Sequence, residues 1–231
     1  MTYIYDIFSK KLTEVAPFTV DLLLPSGAEN LNYVLYTDES PYKMQREWLD
    51  RLPFDIYSVN VHTGAKRLIG RSYRTAPKWS VNGKWAVMYD PIAQVWNKFD
   101  GATGKVVNIS DAIGYPMFME SYDKPAPAPA YGIAGWTADG NNVFLYDAYD
   151  WWKTDLTGER QPECLTKGYG RKHGKSIRKM TSNIDKDVFQ KDEKVIVSLW
   201  DKDTMDEGVY QLDMKGRLRK LMEGNLSLIH I

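Results

Sequence analysis

Residues 134–166 read AGWTADGNNVFLYDAYDWWKTDLTGERQPECLT, and the punctuation of this stretch decides the fold. Trp136 closes a short apolar run, and Asp139-Gly140 follows it. An Asp-Gly pair supplies the positive φ angles that a tight hairpin needs. The apolar run up to Tyr146 comes next, then the aromatic run Asp150-Trp151-Trp152, then a second turn at Thr157-Gly158. The same order occurs upstream, where WSVNGKWAVMYD begins at Trp79 and VWNKFDGATGKVVNIS leads into Thr103-Gly104. FDIYSVNVHTGAKRLIG (54–70) is an earlier partial copy, and EKVIVSLWDKDTMDEGVYQLDMKGRLRKL (193–221) is a weaker later one, with its turn at Lys215-Gly216. Between turns the runs alternate apolar and polar residues, as in KWAVMYD and GVYQLD, which is the period of a half-buried strand.

Each copy therefore reads as a four-stranded antiparallel meander. Adjacent copies lie roughly 40–60 residues apart, within the range of propeller blades. One meander cannot bury both of its faces, so the copies must stack. The expected architecture is all-β: a partial β-propeller of about four four-stranded antiparallel blades plus a remnant of a preceding blade. Residues 1–225 form this incomplete domain, with the remnant near 1–16 and blades near 17–71, 72–111, 131–167 and 181–223. An all-β sandwich also yields regular short strands. The recurrent spacing of Trp, Asn/Asp-Gly and Thr-Gly favours the propeller.

Composition narrows the function classes. Lys plus Arg and Asp plus Glu each number 30, so there is no basic excess of the kind a general nucleic-acid or anionic-membrane binder needs. No apolar run approaches the ~18 residues of a membrane span. The opening MTYIYDIFSKK shows no charged-then-apolar signal pattern. The single cysteine, Cys164, excludes an internal disulfide and reads as a small buried hydrophobe. His62, His173 and His230 are far apart and lack metal-ligand spacing, so no metal and no cofactor is expected.

Several constellations read as structural. GYGRKHGKS (168–176) misses the spacing of a phosphate-binding loop by one residue in either register, and a basic loop between blades is the better reading. Asp90, Asp100, Asp139, Asp147, Asp150 and Asp155 sit at strand ends, where a carboxylate satisfies turn amides. Asp147 and Asp150 could pair, but the sequence supplies no matched environment for acid–base work. The tryptophans 79, 85, 96, 136, 151, 152 and 200 keep step with the blades, as packing residues would. Two long connections break the rhythm: 38–53, with a charged middle suited to a short helix, and the Pro- and Ala-rich 111–132. Long loops on a rigid scaffold are where binding tends to reside.

PKWSVNGKWAVMYD (77–90) and above all YGIAGWTADGNNVFLYDAYDWWKTDLTG (131–158) resemble the propeller domain of the prolyl oligopeptidase family of serine peptidases, in particular bacterial members related to dipeptidyl-peptidases. The resemblance covers most of residues 30–180. It implies a propeller that filters and positions peptide substrates for an α/β-hydrolase domain bearing a Ser-Asp-His triad, in a parent that can be exported or periplasmic and can form a homodimer. This chain has no Gly-x-Ser-x-Gly, the strained turn that exposes the nucleophile in such hydrolases, so no catalytic residue is assigned here. Dipeptidyl-peptidases hold the free amino end of a peptide through acidic propeller residues, which singles out Glu120 and Asp123 in the 111–132 loop. Arg171, in the basic loop, is the third candidate for contact with a peptide. The rival reading is a non-catalytic TolB-like propeller binding protein or peptide partners. A carbohydrate-active propeller would call for paired carboxylates at the tunnel mouth.

Residues 226–231, LSLIHI, back-translate to a transposon end used as a sequencing adaptor. They are expected to be a non-native tail that replaces the hydrolase domain. A propeller cut in this way would leave open apolar faces and low stability in isolation.

Overall fold

The structure is a computed structural model in which residues 1–18, 20–26, 32–49, 51–180 and 187–224 are described. The chain divides into two compact units, Met1–Asn108 and Ile109–Ile231. Strands dominate both, and they fall into successive meanders as the turn signals require.

In the first unit, β1 (Thr2–Asp6) and β2 (Lys11–Ala16) form a two-stranded hairpin. The next sheet runs β3 (Leu22–Leu24), β4 (Tyr33–Asp38), β5 (Phe54–Asn60) and β6 (Lys66–Tyr73), and the one after it β7 (Lys78–Trp79), β8 (Trp85–Asp90), β9 (Val95–Asp100) and β10 (Val106–Asn108). Leu35, Phe54, Ile56, Tyr73, Ala86, Met88 and Phe99 form a buried cluster between these two sheets. Trp79 stands edge-on to Phe99 and donates its indole N–H to the Leu24 carbonyl at 2.9 Å, which ties the first strand of one blade to the first strand of the next. The β1–β2 hairpin buries Val15 and Ala16 against Tyr36 and Val59. Its other side leaves Tyr3, Tyr5, Ile7, Phe8 and Leu12 exposed. Between β4 and β5 the charged segment makes a short 3-10 helix, Ser40–Gln45, with none of its residues buried.

The second unit contains β11 (Ile133–Thr137), β12 (Asn142–Tyr146), β13 (Trp151–Asp155) and β14 (Glu163–Cys164) as an antiparallel meander. Its next sheet has the order β15 (Lys175–Lys179), β17 (Lys194–Asp201), β18 (Glu207–Asp213) and β19 (Leu218–Gly224). Between β15 and β17 the chain returns to the preceding sheet. There β16 (Val188–Phe189) pairs with β11 in parallel, Trp136 opposite Val188 and Thr137 opposite Phe189. Trp151, Phe144, Tyr146, Ile177, Phe189, Val197, Leu199 and Leu212 are among the residues of the core shared by the two sheets. With four meanders of four antiparallel strands and a leading hairpin among the described residues, the chain is a partial β-propeller. The last meander opens at Lys175, ahead of the start near 181 read from the repeat. The apolar pair Val188-Phe189, inside the span read as the last blade, belongs to the sheet before. The tail at 226–231 lies outside the described residues.

One device closes hairpin after hairpin. Asp6, Asn60, Asp90, Asp100 and Asp201 each accept, on one side-chain oxygen, the backbone N–H groups two and three residues ahead. These Asp and Asn corners are turn-forming groups. Trp200 departs from the packing expected of the tryptophan stripe, being substantially exposed near the end of β17.

The final sheet carries a pH-sensitive brace. Glu223 on β19 accepts from Lys175 of β15 at 2.6 Å and from Lys220 at 2.9 Å. The hydrogen bond from Lys175, with that from Lys220, lowers the Glu223 carboxyl from 4.5 to about 2. A carboxyl depressed in the folded state stabilises it above the unfolded value, and that contribution disappears as pH falls from about 4.5 toward 2. Urea midpoints measured through this window should fall more steeply for the wild type than for Glu223→Gln. Parallel curves would show that the brace contributes nothing.

Candidate functional site

The loop-rich end of the third meander gathers the groups with chemical potential. β11 begins here, β12 ends here at Tyr146 and β13 starts here at Trp151, so the 147–150 corner and the long 109–132 connection meet. The corner Asp147-Ala-Tyr-Asp150 uses the same side-chain cap as the exposed hairpins: Asp147 accepts from the N–H of Tyr149 at 2.7 Å and of Asp150 at 2.6 Å. Unlike those corners it is buried, with Asp147 at 0% and Asp150 at 1% exposure.

Burying two carboxylates requires that each be satisfied by donors. The second oxygen of Asp147 accepts from the Trp152 indole at 3.1 Å and from an Arg171 guanidinium N–H at 2.9 Å. Asp150 accepts from the Thr166 hydroxyl at 2.6 Å, the Gly170 N–H at 2.9 Å and the Arg171 N–H at 3.0 Å. The last two donors belong to α1 (Tyr169–Lys172), a single helical turn in the segment read from sequence as a basic loop. Gly170 is what lets α1 lie here, since a Cβ would come within 2.6 Å of the Tyr149 carbonyl oxygen and 2.7 Å of the Lys175 carbonyl oxygen. Both carboxylates are thus occupied in holding backbone and Arg171, in keeping with a structural role.

Arg171 is the charged group this scaffold presents. Burial works against its charge, and the hydrogen bond and charge of Asp147 more than offset that, so its pKa is raised. Its guanidinium carbon lies 3.9 Å from the centre of the Tyr115 ring and 5.0 Å from that of Tyr149. Tyr115 packs in turn on Trp152. The side chain keeps 30% exposure, and one edge of the planar fork is engaged by Asp147. Such a fork, held by a carboxylate and stacked on aromatics, is pre-organised to take a carbonyl or carboxylate on its remaining N–H groups.

Beside it lies a second arginine that the sequence reading did not single out. Arg178 donates to the carbonyls of Ile177, Asp147 and Ala148 and sits over the rings of Tyr146 and Tyr131. Burial lowers its pKa, opposed by Tyr146 and Asp147. Tyr131 links this arginine to the long loop, its hydroxyl accepting the Glu120 N–H at 3.1 Å. The loop is closed on itself by the Phe118–Ala130 bridge and a Met119 N–H bond to the Pro129 carbonyl, with Met117 buried. Of the three sequence candidates, the structure therefore places Arg171 at the centre of the cluster. Glu120 is tied by its backbone to Tyr131 at the margin, and Asp123 is exposed farther along the loop. Cys164 is half-buried beneath α1, accepting the Gly168 N–H on its sulfur, and burial raises its thiol pKa.

No family model matches the chain, and no curated protein matches it. Among solved structures it is similar to TolB of Acinetobacter baumannii, with 12% identity and a TM-score of 0.38 over 96% of this chain and 48% of that one. An acylaminoacyl peptidase of Pyrococcus horikoshii shares 14% identity at a TM-score of 0.40, over 83% of this chain and 31% of that one. The β-propeller domain of the trilobed protease of Pyrococcus furiosus shares 10% at 0.31, over 96% and 74%. The chain spans about half the length of the TolB chain and about a third of the peptidase chain. At these identities and scores no residue role passes from them to this chain.

Proposed function

We propose that the chain is the substrate-positioning propeller of a serine peptidase of the prolyl oligopeptidase type, with catalysis supplied by an α/β-hydrolase domain outside residues 1–231. The family assignment rests on the sequence resemblance at 77–90 and 131–158. The observation that carries the peptide-binding role is the Arg171 fork, fixed by buried Asp147 and stacked on Tyr115, yet partly open to solvent. In this reading Arg171 receives a peptide carbonyl or terminal carboxylate, Tyr115 and Tyr149 offer flat faces to side chains, and Glu120 and Asp123 attract the amino end.

The test is titration of the full chain with a mixture of tetra- to octapeptides, read by tryptophan fluorescence and by amide shifts. Four peptide forms are compared: free, N-acetylated, C-amidated and doubly blocked. Arg171→Ala should weaken binding of the free peptides about tenfold, the loss of one charge-assisted hydrogen bond worth about 1.4 kcal/mol. Amidation should weaken the wild type and leave the variant nearly unaffected. Equal binding of all four forms, or no binding, removes Arg171 from the role. Binding that is unchanged in the variant but confined to folded protein partners would favour the non-catalytic TolB-like reading instead.

A further inference from the structure

We propose that the opposite end of the third meander holds a second, separate binding site, for a small organic anion with an apolar body. A cavity of about 380 Å³ opens there, at the Asp139-Gly140 hairpin, on the far side of β12 from the Asp147 corner. That volume lies within the roughly 300–1,000 Å³ of small-molecule sites.

The wall follows from strand alternation. Asn142 and Phe144 are two residues apart on β12 and share a face, and Lys153 stands directly opposite Phe144 on β13. The Thr137 hydroxyl accepts the Asn142 N–H at 3.0 Å and closes the hairpin over this face. Phe189 enters from β16, with Gln190 and Lys191 following it, and the β18–β19 turn adds Met214 and Lys215. That turn is seated closely. Gly216 has a φ of +80°, and a Cβ there would overlap the Leu165 carbonyl oxygen. The floor is consequently apolar (Phe144, Phe189, Met214) and the rim carries three lysines.

The charge balance at this rim is positive. Among the described residues, Lys153, Lys191 and Lys215 are in no ion pair, although all three border one cavity. Its single carboxylate, Asp139, already accepts from the Thr137 hydroxyl and from the backbone and side-chain N–H groups of Asn141. Like charges gathered around a low-dielectric floor repel one another, and a bound anion relieves that repulsion while its apolar body covers Phe144, Phe189 and Met214. Carboxylate and phosphate satisfy this chemistry equally, so the probes below separate them.

The experiment uses the full 231-residue chain and reads amide shifts while 4-phenylbutyrate, phenyl phosphate or uncharged 4-phenylbutanol is added. At least one anion should bind about tenfold or more tightly than the alcohol, equivalent to about 1.4 kcal/mol, with shifts centred on Thr137, Asn142, Lys153 and Gln190. The tighter of the two anions identifies the headgroup. Lys215→Gln, at an exposed side chain, should weaken that anion about fivefold, and so should Lys153→Gln. Lys105→Gln, in the other unit, should leave binding unchanged. The proposal is overturned if the alcohol binds as well as the anions, if the shifts fall elsewhere, if neither anion binds, or if the cavity lysine variants match the wild type.

Discussion

Trp151→Ala should cost about 4–5 kcal/mol, the upper range for truncating a buried aromatic, with a drop in Tm of about 10–15 °C for a domain of this size. Trp151 is completely buried and packs against Phe144, Tyr146 and Phe189, with ring centres at 6.3, 5.3 and 6.1 Å. Its indole N–H reaches the Ile177 carbonyl at 3.1 Å, joining the third meander to the first strand of the fourth. Alanine leaves a cavity at that junction and removes a donor from a buried carbonyl. Trp151→Phe separates the two effects: it keeps most of the volume and loses the hydrogen bond, and should cost about 1–2 kcal/mol. Thermal and urea unfolding of the three proteins decide the matter. A Trp151→Ala loss below about 2 kcal/mol would mean that the core collapses to fill the gap.

Asp147→Ala should be nearly as damaging, at about 3–4 kcal/mol, through electrostatics instead of volume. The substitution strands two backbone N–H groups, the Trp152 indole and the Arg171 guanidinium. The partial exposure of Arg171 keeps the figure below the maximum for a fully buried pair, because the freed guanidinium can turn toward water. Asp147→Asn retains an acceptor for the corner amides and loses the charge, so it should fall between wild type and alanine. Both variants should also weaken peptide binding as Arg171→Ala does, since the fork loses its anchor. A Tm within about 2 °C of wild type for Asp147→Ala would show that the corner is held by its neighbours instead.

Much of this fold was legible because its signals are local. Asn82-Gly83, Asp139-Gly140, Thr103-Gly104 and Lys215-Gly216 each mark a hairpin, and the glycine of each takes a positive φ. The parallel pairing of Val188-Phe189 was not legible, because two apolar residues carry no period and their partner lies 52 positions earlier, at Trp136. The site was harder still. Arg171 could be singled out by charge, but its hold on Asp147, Tyr115 and Tyr149 is a matter of chain segments that no spacing rule connects. One signal was present. The corner Asp147-Ala-Tyr-Asp150 lacks glycine and is flanked by Leu145-Tyr146 and Trp151-Trp152, an acidic corner inside an apolar run, and such carboxylates need buried donors. Arg178 gave no comparable cue, since nothing in KSIRK sets its arginine apart from the lysines around it.

The route of the chain through β15, β16 and β17 has a mechanical consequence. After contributing one strand to the last meander, the backbone crosses back to lie along β11 and only then completes the meander it left. The two sheets are therefore stitched by a single thread in addition to being stacked. In a repeat array where each unit touches only its neighbours, blades can come away one at a time. Here, a pulling force applied at the end of β19 can strip β19, β18 and β17 in sequence. It then meets β16, which has to be peeled from the neighbouring sheet before β15 is reached. Under tension these two blades should yield as one coupled event, and this seam should be the tear-resistant part of the chain.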